Sequence, residues 1–278
     1  MRDNLRLYSR LERELRRLLP QERIPRVRNL TLRVTGLFLA RSVHLSQVVR
    51  VWPQPARLVS LENRLRRFLS NRSLSVQRCY APVVATLLAR FSGAPVRLIL
   101  DLTQVGPAAR MLSLSVAYRR RALPLVWRLY RGVKGNVPLR SVCRLLEEVG
   151  ASLPEGAEVW VYGDSGFGQA EWIEYLRKRG WHFVLRLGGH VKVAAGEDPA
   201  WQKLCSWGLQ EGQTRDLGAV GLFEKHALTG LRALLDRKER RDKSYFRLGW
   251  DYLAHCLRLG HDIPPLRLTP YVDKVIGG

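Results

Sequence analysis

Acidic residues are scarce in this sequence. Its 278 residues include 24 Asp and Glu against 47 Lys and Arg, a formal net charge of +23. So large a basic excess is costly to gather unless solvent or a polyanion screens it, which points to nucleic acid as the partner. Lysine is missing altogether from the first 100 residues, which hold 20 Arg and only 5 acidic residues. Arginine's planar fork suits phosphate oxygens and guanine edges better than an ammonium does. Long apolar runs are also lacking. None approaches the ~18 residues of a membrane helix, and the run over 81–89 leads straight into Arg90. The first twenty residues contain no apolar signal core, so the expectation is a cytoplasmic protein with no membrane partner. Cysteine is rare: Cys79, Cys143, Cys205 and Cys256 are widely separated, with no C-x-x-C or Cys/His cluster. That spacing supports neither a zinc site nor a disulfide framework. The six His are scattered without ligand spacing. No G-x-x-x-x-G-K-[ST] loop or G-x-S-x-G elbow occurs.

Apolar residues make up 46% of the chain, enough to build a core. Residues 1–92 read as a basic helical region. Leu5, Leu11, Leu15, Leu18 and Leu19 recur at helical spacing, with arginines on the remaining faces. Further helices are expected over 30–45, 60–69 and 76–90. Each has an apolar stripe and an Arg-rich remainder, which serves either as a solvated face or as a DNA-contacting surface. Arg57, Arg64, Arg66 and Arg67 are the candidate contacts, with nothing in the sequence to choose among them.

From residue 93 the pattern changes to short apolar runs. Strands are expected over 96–102, 111–118 and 122–130, then a helix over 138–149, a strand over 158–162, a helix over 168–179 and a strand over 181–187. The order β-β-β-α-β-α-β gives an α/β fold with a mixed sheet across 93–190. Residues 191–235 look like a β-rich insertion. Residues 236–278 begin with a charge run (DRKERRDK) and continue as a helix and an irregular tail.

Two carboxylates occupy special places in this pattern. Asp101 is expected to end the first strand, inside L-I-L-D-L-T. Asp164 follows the fourth, inside V-W-V-Y-G-D-S-G-F. A carboxylate after a run of buried residues is desolvated at a cost unless a cation compensates it. If the two strands are neighbours, both side chains meet at one sheet edge. Oxygen-only ligands so placed fit Mg2+ or Mn2+ rather than zinc. The plainer alternative is that each Asp merely forms a turn or caps a helix, as Asp164 before Ser-Gly is well suited to do.

The stretch L-I-L-D-L-T-Q-V-G, the meander ending A-L-P-L-V-W, the following K-G, then G-D-S-G-F-G and G-W-H-F-V-L-R-L together resemble the DDE transposases of bacterial insertion sequences. The resemblance covers most of the chain. It implies a ribonuclease H-like catalytic core, a DNA-binding region in the N-terminal helices, and a β-rich insertion before the last acidic residue. By this resemblance Asp101 and Asp164 are the first two members of the catalytic triad, and both ligate Mg2+ (or Mn2+). The implied activity is metal-dependent DNA strand cleavage at element ends, followed by strand transfer from the freed 3′-hydroxyl. The implied partners are double-stranded DNA, both transposon ends and target, and a second copy of the chain in a homodimer assembled on DNA. The location is then nucleoid-associated.

The third member of the triad departs from the family pattern Y-x-x-R-x-x-x-E-x-x-x-x-x-x-K. Only Tyr118 has Arg three positions on, and Leu125 then stands where Glu belongs. The nearest imitation is Arg247-x-x-x-Asp251 with Arg258 beyond. Glu224 is expected in a strand and Glu239 in the charge run, neither a suitable context. The resemblance therefore implies an internal loss near Leu235–Asp236 and a crippled metal site. Two alternatives stand beside the active enzyme. One is a non-catalytic remnant that still binds element ends. The other is a basic nucleic-acid-binding protein unrelated to DNA mobility.

Overall fold

The computed structural model describes residues 2–52, 56–119, 121–132, 137–196, 200–208, 210 and 213–236. The chain divides into two compact units, Met1–Leu87 and Leu88–Gly278.

The first unit is helical: α1 (Arg2–Leu18), α2 (Ile24–Ala40), α3 (Leu45–Arg50), α4 (Leu58–Leu69) and α5 (Val76–Leu88). Their leucine stripes converge in two clusters. Leu15, Leu19 and Val27 form one. Leu32, Val48, Val49, Trp52, Leu61 and Leu65 form the other. Helix α2 starts well before the expected residue 30, with Pro25 inside its first turn. A proline costs nothing there, because the first amides of a helix have no intrahelical partner. It stops at Ala40, where Arg41 adopts a left-handed conformation (φ 49°). Helix α4 likewise begins two residues ahead of Ser60, with Arg57 at its N-cap and no side-chain cap.

The second unit opens with β1 (Val96–Val105), β2 (Ala109–Tyr118), β3 (Arg121–Arg131), α6 (Leu139–Gly150), β4 (Val159–Gly163), α7 (Ala170–Lys178) and β5 (His182–Leu185). The strands form a mixed sheet in the order β3-β2-β1-β4-β5. The first three are an antiparallel meander, while β4 and β5 run parallel to β1. Parallel neighbours need a long crossover, and α7 provides it between β4 and β5. Leu98, Leu100, Leu112, Leu114 and Val161 are all at most 2% exposed, which places the core on this sheet. Val142, Leu145, Leu146 and Val149 of α6 are buried, as are Trp172, Ile173 and Leu176 of α7. The β2–β3 register slips between Leu114 and Ser115, opposite Pro124. Proline has no N–H to give the ladder, so it is tolerated on an edge strand beside such an irregularity.

The remaining described strands are β6 (Lys192–Ala195), β7 (Gln202–Lys203), β8 (Thr214–Leu222) and β9 (Leu228–Asp236). They make a separate antiparallel sheet in the order β7-β6-β8-β9. The expected C-terminal helix and tail, with Arg247, Asp251 and Arg258, lie outside the described residues. Among the described residues no helix is long and apolar enough to cross a membrane.

One close approach ties α2 to α3 and the segment after it. A methyl group on Gly36 would lie 2.6 Å from Trp52 Nε1 and 2.7 Å from Val48 Cγ1. Both neighbours are buried, and the indole is rigid. Replacing a mid-helix glycine by alanine gains about 1 kcal/mol of helix propensity, whereas overpacking a core costs ~1–3 kcal/mol. Gly36→Ala is therefore expected to destabilise the helical unit by up to ~2 kcal/mol net, read as an earlier midpoint in urea unfolding followed by circular dichroism.

Candidate active site

Asp101 does not end β1, as the sequence suggested, but sits at its sixth position. The reason lies in the two neighbours. The antiparallel ladder to β2 continues through Asp101↔Ser113 to Val105↔Ala109. The parallel ladder to β4 stops at Leu100↔Gly163. Asp101 is thus the first residue of β1 beyond its pairing with β4, and Asp164 is the first residue beyond β4 itself. The two carboxylates leave adjoining strands at the same level. Strand alternation puts Asp101 on the side of the exposed Arg97 rather than that of the buried Leu98 and Leu100.

The surroundings of Asp164 are set by a short 3₁₀ turn (Ser165–Phe167). Asp164 is its N-cap, and the Gly166 N–H donates to Asp164 Oδ1 at 3.0 Å. The capping role weighed as an alternative in the sequence is therefore realised. It does not account for the electrostatics. Burial pushes the Asp164 carboxyl above the usual carboxylate range, and the negative charge of Asp101 pushes it the same way. The Gly166 hydrogen bond and the Arg186 guanidinium pull it back only in part. Coulombic coupling of that kind operates between neighbouring groups, in keeping with the adjoining strand positions of Asp101 and Asp164. Neither is ion-paired among the described residues.

Sequence reasoning missed three supporting residues. The Thr103 hydroxyl donates to Asp101 Oδ2. The i,i+2 spacing on a strand carries this signal, since alternate side chains share a face. Arg186, just past β5, lies near enough to bias Asp164. Gly168 permits the chain after the turn to approach β5: a methyl there would stand 2.6 Å from the Arg186 carbonyl oxygen. Beside Asp164, Leu102, Val142, Gly166, Phe167 and Trp172 line a small cleft at the sheet edge.

Two half-buried carboxylates on adjoining strands are a donor set that a hard divalent cation fits. Mg2+ characteristically takes one or two carboxylates and completes its shell with waters and substrate phosphates. Among the described residues no third His, Cys, Asp or Glu joins them in a metal-holding group. Glu224 is not in a strand, as expected, but in the turn between β8 and β9, where it pairs with Lys192. Of the four candidate DNA-contacting arginines, Arg64 donates to Asn29 Oδ1 at 2.7 Å and Arg66 pairs with Glu62 at 2.7 Å. Arg57 is exposed, and Arg67 uses its Nε on the Asn63 carbonyl.

The raised carboxyl of Asp164 has a consequence for stability. A folded state that holds the proton more tightly than the unfolded chain loses stability as pH rises through that window. Above it the ionised Asp164 is a net cost. Asp164→Asn keeps the acceptor for Gly166 and removes the charge. Without divalent cations, its Tm at pH 7 is expected to exceed that of the unmodified chain, and the gap to close as pH falls toward ~4. Thermal melts across pH would check both signs.

Residues 138–245, which include Asp164 and not Asp101, match the family model described as "Transposase DDE domain". No curated protein matches the chain. Among solved structures, the chain is similar to a piggyBac transposase in a cryo-EM synaptic complex with hairpin DNA, at 11% identity and a TM-score of 0.44. The alignment covers 98% of this chain and 63% of that one. The resemblance to DDE transposases read in the sequence is borne out over residues 138–245, which match the transposase DDE domain.

Proposed function

We propose that this chain is a DNA transposase with a ribonuclease H-like core, cleaving and transferring strands at the ends of a mobile element. The observation that carries the reading is the register Leu100↔Gly163, which sets Asp101 and Asp164 side by side at the edge of a mixed sheet. It is joined by the match of 138–245 to the transposase DDE domain and by a formal charge of +23 suited to a polyanionic substrate.

In this reading Asp101 and Asp164 are the metal ligands and catalytic residues. Thr103 orients the Asp101 carboxylate, and the Gly166 amide orients that of Asp164. When bound, Mg2+ or Mn2+ supplies activation of the attacking oxygen and neutralisation of charge at the scissile phosphate. The chain's part is to hold the two carboxylates at one level on adjoining strands and to seat the DNA strand across them. Water cleaves the phosphodiester at the element end, and the freed 3′-hydroxyl then attacks a target phosphodiester. Both ends must be brought together, which calls for a homodimer assembled on DNA at the nucleoid.

A second reading is favoured by one observation: no Tyr in the sequence opens the full Y-x-x-R-x-x-x-E pattern, Leu125 standing where Glu belongs after Tyr118 and Arg121. A loss near Leu235–Asp236 would leave a protein that binds element ends without cutting them. Nicking of supercoiled plasmid by the purified chain in Mg2+ separates the two. Measurable nicking that falls at least ~10–100-fold in both Asp101→Ala and Asp164→Ala supports the enzyme. A further loss in Asp251→Ala would assign the third ligand. Salt-dependent DNA binding with no nicking under any divalent cation would favour the binding-only protein.

A further inference from the structure

We infer that helix α4 is the part of the helical unit that reads duplex DNA sequence, by entering the major groove with Asn63 and Arg67 as the base-contacting side chains. This rests on the proposed DNA partner and adds which element recognises it and how.

Helix α4 has two unlike faces. Leu61, Leu65 and Phe68 are buried, the first two in the cluster shared with α2 and α3. The opposite face presents Val59, Asn63, Arg66 and Arg67, all exposed, with Val59 at 72%. Its nearest acidic residue, Glu62, is neutralised by Arg66 at 2.7 Å. The outward face thus combines Asn, Arg and a bare aliphatic group. Those are the groups that read base edges. Asn pairs with adenine N6 and N7, Arg with guanine O6 and N7, and an apolar side chain meets the thymine methyl. Asn63 and Arg67 are one turn apart, ~6 Å along the axis, so they reach base pairs one or two steps apart. Arg67 engages the helix backbone through Nε only, which aligns the guanidinium along this face.

The other helices do not match. The outward surface of α1 mixes arginines with Glu14, which pairs with Arg17. That of α2 is largely apolar, with Phe38 70% exposed, and its exposed Arg28 is tied to Glu12 at 3.3 Å. Helix α3 has six residues. On α5, Arg78 is tied to Glu22 at 3.3 Å. Arginines elsewhere on the unit, such as Arg10 and Arg13 of α1, are placed to meet phosphates, which position a protein without specifying sequence.

The test uses the full chain and a pool of randomised 20-base-pair DNA duplexes, with bound duplexes recovered and sequenced over successive rounds. The unmodified chain is expected to enrich a motif. Asn63→Ala and Arg67→Ala are each expected to lose preference at a separate position of that motif and to bind the selected duplex about 10-fold more weakly. Arg67→Lys keeps the charge but not the fork. It is expected to relax the motif as Arg67→Ala does while retaining the salt dependence of binding. Arg13→Ala is expected to leave the motif intact. No enrichment by the unmodified chain, an unchanged motif in both α4 alanine variants, or a motif altered only by Arg13→Ala would overturn the assignment. So would equal competition by duplex RNA, whose major groove is too narrow to admit a helix. Plasmid nicking by the same preparations keeps the two readings apart. An unmoved motif with nicking intact overturns α4 alone, whereas a motif lost at Asn63 and Arg67 in a chain that never nicks overturns only the catalytic reading.

Discussion

Two like charges held at adjoining positions are the constraint around which the second unit is arranged. Burial raises the cost of ionising Asp164, and the negative charge of Asp101 adds to it. Nothing about packing requires them. The sheet imposes the arrangement: β1 is clamped between an antiparallel partner that runs its full remaining length and a parallel partner that stops one residue before Asp101. A backbone so fixed does not let the two side chains drift apart to relieve their repulsion. The relief must come from the proton, from nearby dipoles such as the Gly166 amide, or from a cation.

Much of this was legible in the sequence. The β-β-β-α-β-α-β order follows from runs whose apolar spacing changes between strand and helix, and the described elements keep that order. The elements that hold the carboxylates were therefore readable before any coordinates. The limits were of two physical kinds. The first was the boundary. An apolar run marks where a strand is buried, not where its hydrogen bonds end, and β1 continues past Leu102 because β2 still pairs with it on the other side. The early start of α2 is a similar case, since its apolar stretch points to a start at residue 30 while the helix begins at Ile24 with a harmless first-turn proline. The second was the partner of each polar side chain. That Arg64 is spent on Asn29, or that Arg66 answers Glu62, depends on how helices lie against one another and on which rotamers they choose. Charge composition cannot tell an arginine that braces the fold from one that faces outward.

The transposase match and the two-aspartate edge overlap without coinciding. Residues 138–245 contain Asp164, its turn, α7 and the second sheet. Asp101 lies upstream of that match. What brings it in is the register between β1 and β4, so the strand pairing, rather than the family likeness, joins the two halves of the site. Thr103 belongs to the same half. Its hydroxyl fixes one oxygen of Asp101, and a carboxylate whose rotamer is held loses less freedom when it takes up a ligand.

The same strand pairing bears on the sequence of events during synthesis. The helical unit is built mainly from contacts between successive helices, such as α1 with α2 and α3 with α4, which form rapidly. The β1–β4 ladder closes only after the meander and α6, some 60 residues later, have been made. A ribosome releasing this protein would therefore expose its arginine-rich helices, already organised, while the aspartate edge was still two separate strands.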